Sequence, residues 1–182
     1  MNEAERPISP LRSEPKTLSS VEAMLMFREK GFFTTDWNEE RSFASDLQDN
    51  HDGTISDHVT LLMWQQGGSV GFMTLADAKQ YIAMLNQDCF AGFSDWRLPT
   101  LEEGASLLNP HGRGGDGLHI AHPFDGKQGW IWTADTAEEP GISWDISFYS
   151  GYVGCGEEAD VAFVRACRGA VTEPYCDLAL TQ

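Results

Sequence analysis

Ser94-Asp95-Trp96-Arg97-Leu98-Pro99-Thr100-Leu101-Glu102-Glu103, SDWRLPTLEE, joins a carboxylate, an indole, a guanidinium and a helix-start signal. Pro99 precedes the start, and Thr100 with Glu103 has the spacing of a capping box. A helix from Thr100 follows, with Leu101, Ala105 and Leu108 facing inward and Asn109-Pro110 as its stop. Arg97 carries a rigid fork of donors that can tie several acceptors at once. Asp95, Trp96, Arg97, Thr100 and Glu103 are therefore read as bracing: a buried guanidinium with an acidic partner, an indole in the core and a cap.

The same signals occur upstream. Ser19 and Glu22 form a second capping box, and Gly31 supplies a stop, so a helix spans about 20–30. Thr74 caps a third helix, with Asp77 in its first turn and Leu75, Ala78, Ile82 and Leu85 on one face, ending near Asn86. Asp52-Gly53 is a turn signal, with Val59–Trp64 expected as the stronger strand of a hairpin. Downstream lies NPHGRGGDGLHIAHPFDGKQG, residues 109–129, whose six glycines and two prolines exclude regular structure. Strands follow at Trp130–Thr133, at Ile142–Tyr149 and at Val161–Arg168, with Gly151, Gly154 and Gly156 read as turns. In Ile142–Tyr149, Ile142, Trp144, Ile146 and Phe148 share one face, and Ser143, Asp145, Ser147 and Tyr149 the other. Two helices between strands give an α+β domain.

Bulk composition bounds the partners. The chain has 182 residues and a formal charge of −16, with 41% hydrophobic residues, 18 glycines and 6 tryptophans. One glycine-rich domain clamped by large rings is implied. The acidic balance disfavours nucleic acid and anionic membrane surfaces. No segment reaches the roughly 20 apolar residues of a bilayer span, and residues 1–17 carry no secretory pattern. Membrane insertion is thus not expected. The expected location is cytoplasmic as written, or extracellular if a leader has been removed. Residues 1–17 read as a flexible arm, 18–44 as a helical extension, 45–169 as the main domain and 170–182 as a tail. Cys89, Cys155, Cys167 and Cys176 form no C-x-x-C pair, and free thiols are expected.

HDGTISDHVTLLMW, the helix ending in LNQ, AGFSDWRLPTLEE, IWTAD and FVRACRG occur in that order. Over about residues 45–169 they resemble the family named for the C-terminal domain of the Legionella collagen-like protein. The resemblance implies a C-type-lectin-like fold. Two helices would flank a small twisted antiparallel sheet, and a long irregular loop, here 109–129, would face the ligand. The helix near the N-terminus would be an addition. Gly104 departs from the larger apolar residue usual after the Glu in that family. More distantly the family is similar to formylglycine-generating enzymes, which use a close cysteine pair; Cys155 and Cys167 lack that context.

Several groups are candidates for recognition. Arg113, Asp116, His119, Trp130 and Trp132 combine hydrogen bonding with flat apolar faces, the mixture enriched at interfaces. Asp145 and Tyr149 on the outer strand face add to them. His111, His119 and His122 with Asp116 and Asp125 match no common zinc spacing and read as a solvated loop. Asp49-Asn50-His51-Asp52-Gly53 has part of a calcium loop but lacks obligatory oxygens, so a plain turn is favoured over a calcium site of Asp49, Asp52 and Asp57. Glu139-Pro140-Gly141 with Trp144-Asp145 only partly matches the calcium–sugar motif of true C-type lectins. No cofactor is expected, with calcium as the open option, and no catalytic set emerges. The expectation is a non-catalytic module presenting the 109–129 loop to a protein partner in an assembly. A carbohydrate-binding domain, calcium-assisted or not, and an oxidoreductase of the formylglycine-generating type are the alternatives.

Overall fold

The helix-start signals all operate in the computed structural model, which describes residues 8–112, 117–170 and Cys176. Ser19 and Glu22 close a full capping box on α1 (Ser20–Lys30), and Gly31 ends it in the left-handed conformation at φ 70°. Thr74 accepts from the Asp77 amide at the start of α2 (Leu75–Gln87). Thr100 and Glu103 do the same for α3 (Leu101–Ala105). Each cap satisfies amides that the helix itself leaves unpaired. α3 is shorter than the pattern to Asn109 implied. After Ala105 the bonds tighten to the third residue back, as in Leu107 N–H to Gly104 O and Leu108 N–H to Ala105 O. Gly104 explains itself here: a Cβ at this position would lie 2.5 Å from Ile146 Cδ1, so only glycine lets α3 sit this close to the strand beneath.

The strands are β1 (Thr17–Leu18), β2 (Leu47–Asp49), β3 (Thr54–Asp57), β4 (Leu62–Gln65), β5 (Trp130–Ala137), β6 (Ile142–Ser147), β7 (Tyr152–Glu157) and β8 (Cys167–Gly169). They form two four-stranded sheets, ordered β1-β5-β6-β7 and β2-β3-β4-β8. The fold is α+β, but the expected single antiparallel sheet is in fact two, and β1 pairs with β5 in parallel.

Four sequence expectations change for identifiable reasons. Val59–Leu61 is a turn, not strand: Asp57 accepts from the Val59 amide and the Thr60 hydroxyl, and Leu61 takes φ 58°. The strand therefore begins only at Leu62. Gly154 and Gly156 lie inside β7, not in turns; a Cβ would crowd the Tyr152 ring and Asp145 at Gly154 and the Asp160 carboxylate at Gly156. Val161–Arg168 is not one strand. It changes partner along its length, bridging Met73 at Ala162, Ile131 at Phe163 and Arg97 at Cys167, and only Cys167–Gly169 pairs regularly. The described part of the arm is also fastened. Ser9 N–H donates to Val59 O at 2.8 Å, Thr136 N–H to Lys16 O at 3.0 Å, and Arg12 reaches Asp135 in β5.

The thiol expectation is corrected as well. Cys89 and Cys176 are disulfide-bonded, and Cys155 and Cys167 remain free. The Cys176 amide also donates to Gly92 O at 2.9 Å.

One large core runs through both sheets and α1. Ala23 and Phe27 of α1 are fully buried with Ile55, Trp64, Leu101, Ile131, Trp144, Ile146 and Phe148. Burying a side chain such as Phe27 contributes about 1.5–3 kcal/mol, so α1 is part of the domain's cohesion. The long loop joins this core too. Leu118, Ile120 and Phe124 are buried. Fully buried Arg165 donates to Gln65 O, Gln66 O and Asp125 O and lies 4.8 Å over the Phe124 ring. The half of the loop from Leu118 to Gly129 is thus packed, against the expectation of a free excursion.

Candidate functional site

SDWRLPTLEE builds a braced corner. Trp96 is buried, its backbone clasped by the Asn86 side chain and its Nε1 donating to Phe90 O at 3.0 Å. Arg97 Nη1 and Nη2 donate to the two oxygens of fully buried Glu103 at 2.7 and 2.6 Å. Burial works against the Arg97 charge, but the Glu103 bonds outweigh it and raise its pKa. Asp95 pairs instead with Arg168, Oδ1 to Nε at 2.5 Å, and Arg168 stacks 3.8 Å over Phe93. Beneath the helix start, fully buried Asp135 accepts from Arg12 at 2.9 and 2.6 Å, from the Lys16 amide and from the Leu101 amide. The Arg97 side chain is not fully buried: it is 31% exposed and borders a cavity of about 310 Å³ with Glu14, Lys79, Ile82 and Ala134. Arg97 with Glu103, Arg168 with Asp95 and Arg12 with Asp135 thus each set a cation against a carboxylate, as bracing requires.

The calcium candidates are spent on turns. Asp49 accepts from the His51 amide and Gln66, Asp52 from the Thr54 amide and hydroxyl, and Asp57 from the Asp46 and Val59 amides and Thr60. Among the described residues no three His, Cys, Asp or Glu side chains group as a metal site.

The remaining candidates separate. Arg113 and Asp116 lie outside the described residues. His119 is half-buried, its ring 5.2 Å from Phe33 and its Nδ1 buried without a partner. Trp132 is not a surface ring: it is fully buried, its Nε1 donating to Met73 O, among Leu75, Ala78, Leu98, Ala162 and Val164. Trp130 and Asp145 share one face of the β1-β5-β6-β7 sheet, while Tyr149 follows β6 in the next turn.

Register fixes that face. Trp130 pairs with Ser147, and Ser147 with Tyr152; Trp132 pairs with Asp145, and Asp145 with Gly154; Ser143 pairs with Gly156. Directly paired residues share a face. Half-buried Trp130 and 42%-exposed Tyr152 therefore flank small Ser147, and Asp145 is flanked by Gly154. Tyr149, 57% exposed, covers Gly129. Phe72, 54% exposed, stacks on Phe163 at 4.1 Å, and Phe163 bonds to the Trp130 backbone. By the same pairing rule Phe163, bridged to Ile131, lies on the opposite side of β5 from Trp130, so the Phe72–Phe163 stack is separate from this row. Tyr152, Gly154 and Gly156 carried no sequence signal for a site; their place follows only from register.

Asp145 is the electrostatic centre of this face. Although they lie on the strand face opposite Ile142 and Trp144, Ser143 is fully buried and Asp145 only 4% exposed. Burial and then neighbouring Asp160 push the Asp145 carboxyl up to about 6. The Trp130 indole opposes this in part, although its Nε1 makes no hydrogen bond of standard geometry. Cys155, although an exposed residue, is pushed up to about 11 by partial desolvation of its thiol and by Asp145. Cys167 is also raised, by its complete burial and by Glu103.

Residues 53–168 match the family model of the Lcl C-terminal domain. The chain belongs to the Lcl C-terminal domain family. No curated protein matches it. The matched region opens in the turn before β3 and closes within β8, so it contains the braced corner and the whole Trp130–Asp145–Tyr152 face. α1, outside the match, nevertheless shares the core of this Lcl C-terminal domain.

Proposed function

We propose that this domain is a non-catalytic binding module on a C-type-lectin-like scaffold, and that its ligand is a protein. The contact surface is the outer face of β5, β6 and β7, with the rim of the 109–129 loop beside it. The observation that carries this reading is the row Trp130–Ser147–Tyr152, in which Tyr152 is 42% exposed. Tyr and Trp on a rigid support are the side chains that dominate binding energy at protein interfaces. Placement on paired strands, not on the loop itself, also lowers the ordering cost of binding.

Both free cysteines have raised pKa values, which supports a binding role over thiol chemistry of the formylglycine-generating kind. The Cys89–Cys176 bond supports a setting outside the reducing cytosol. Among the described residues no helix is long and apolar enough to cross a membrane. A sugar ligand is the second reading, favoured by the same exposed rings beside a carboxylate.

Photo-crosslinking separates these readings. With a photoreactive residue in place of Tyr152, one protein should crosslink in stoichiometric amount. With the same residue in place of Glu40, beside His111 at the other end of the loop, it should not. Crosslinking only from Glu40 would move the surface to the first half of the loop. Retention on immobilised glycan, lost in Tyr152→Ala, would replace the protein ligand by a sugar.

A further inference from the structure

The chemistry of the face narrows the partner. From Gln128 to Val164 the sequence contains no Lys, Arg or His, yet it carries Asp145, Glu157, Glu158 and Asp160. None of these four has an ion pair with a described residue. Two of them meet. A Cβ built on Gly156 would lie 3.1 Å from Asp160 Oδ2 and 3.6 Å from Asp145 Oδ2, and one on Gly154 would lie 3.3 Å from Asp145 Oδ1 and 3.0 Å from the Tyr152 ring. The carboxylates therefore converge over two half-exposed glycines, with the Tyr152 ring against the same spot.

A second observation is independent of the acidic pair. Ser143, on the same face and paired with Gly156, is fully buried with its Oγ lacking any partner. An orphaned hydroxyl and a desolvated carboxylate each cost free energy unless something completes them.

We propose that this trough receives the guanidinium of an arginine from the protein partner, seated between the Trp130 and Tyr152 rings and bridged by the Asp145 and Asp160 carboxylates. The proposal rests on the face being the partner-contact surface. Trp130 and Tyr152 stand two strand spacings apart, roughly 10 Å, with only Ser147 between their backbones. A planar cation entering over Ser147 can stack on these rings. Guanidinium is preferred to ammonium because its fork serves two carboxylates at once and it sheds water more readily. Its charge also relieves the repulsion between Asp145 and Asp160.

The test uses the full chain and three blocked pentapeptides that differ only at the centre: arginine, lysine or citrulline, the neutral isostere of arginine. NMR follows the Asp145 carboxyl and Trp130 indole signals during titration. The arginine peptide should shift both and bind at least about tenfold more tightly than the citrulline peptide, with lysine between them. D145N/D160N should weaken arginine-peptide binding about tenfold, while E39Q/E40Q, which removes the same charge elsewhere, should change it less than about twofold. Tyr152→Ala, at an exposed position, provides the same readout if the double variant folds poorly. Equal binding of arginine and citrulline peptides would overturn the proposal, as would equal losses in the two double variants. A partner that still crosslinks at Tyr152 while the arginine peptide leaves Asp145 unmoved would sink this inference and leave the proposed function standing.

Discussion

Glu103 and Asp145 are both carboxylates with almost no exposed surface, and the fold treats them in opposite ways. Glu103 accepts two bonds from Arg97 and one from the Thr100 amide, so its charge is neutralised where it lies. Asp145 faces a second carboxylate and an indole, with two glycines opening the strand beside it. The first arrangement fixes a corner. The second leaves a charge that something else can complete. Within one small domain, pairing marks the part that holds the fold, and its lack marks the face proposed for recognition.

Breaking the paired side should have the largest effect. Glu103→Ala leaves Arg97 and the Thr100 amide without their acceptor, and should cost about 3–5 kcal/mol, or roughly 10 °C in melting temperature. A loss under about 1 kcal/mol by denaturant titration would remove the bracing role of the corner. Cys176→Ser loosens the same region from outside. It should cost about 2–4 kcal/mol by freeing the denatured chain. Thiol titration of the unfolded, unreduced wild type should find two free thiols, from Cys155 and Cys167; finding four would remove the Cys89–Cys176 tie.

The unpaired side should respond with the opposite sign. The Asp145 pKa is higher folded, at about 6, than unfolded, at its ordinary value of 3.8. The folded state therefore holds the proton longer, and stability falls as pH rises through the window from about 4 to 6. Asp145→Asn should abolish that fall and leave the protein roughly 2–3 kcal/mol more stable at pH 7. An unchanged pH profile would mean that Asp145 is compensated after all. The smallest stability change belongs to Tyr152→Ala, within about 0.5 kcal/mol because the ring is largely exposed, while binding at the face drops.

What could be read beforehand divides along the same line. The corner was legible because its signals are local: Thr100 and Glu103 are three residues apart, and Arg97 needs an acceptor close by. α1, α2 and their caps were legible for the same reason. The face was not. Gly154 and Gly156 have the composition of a turn, and only the sheet register shows that they clear space for the Asp145 carboxylate. Alternation in 142–149 placed Asp145 on the outer face correctly but could not foresee that this face is covered there. Trp132 looked equivalent to Trp130 until the chain around Met73 and Ala162 folded over it. The packed half of the 109–129 loop was hidden because Arg165, which holds it, lies far along the chain.

The most direct measurement is a carbon-detected NMR titration of the Asp145 side-chain carboxyl in the free protein, assigned by comparison with Asp145→Asn. A midpoint near pH 6 is expected for a carboxylate buried beside Asp160 without a cation. A midpoint at or below about 4, the range of an ordinary or paired aspartate, would contradict the claim that this face holds an uncompensated charge.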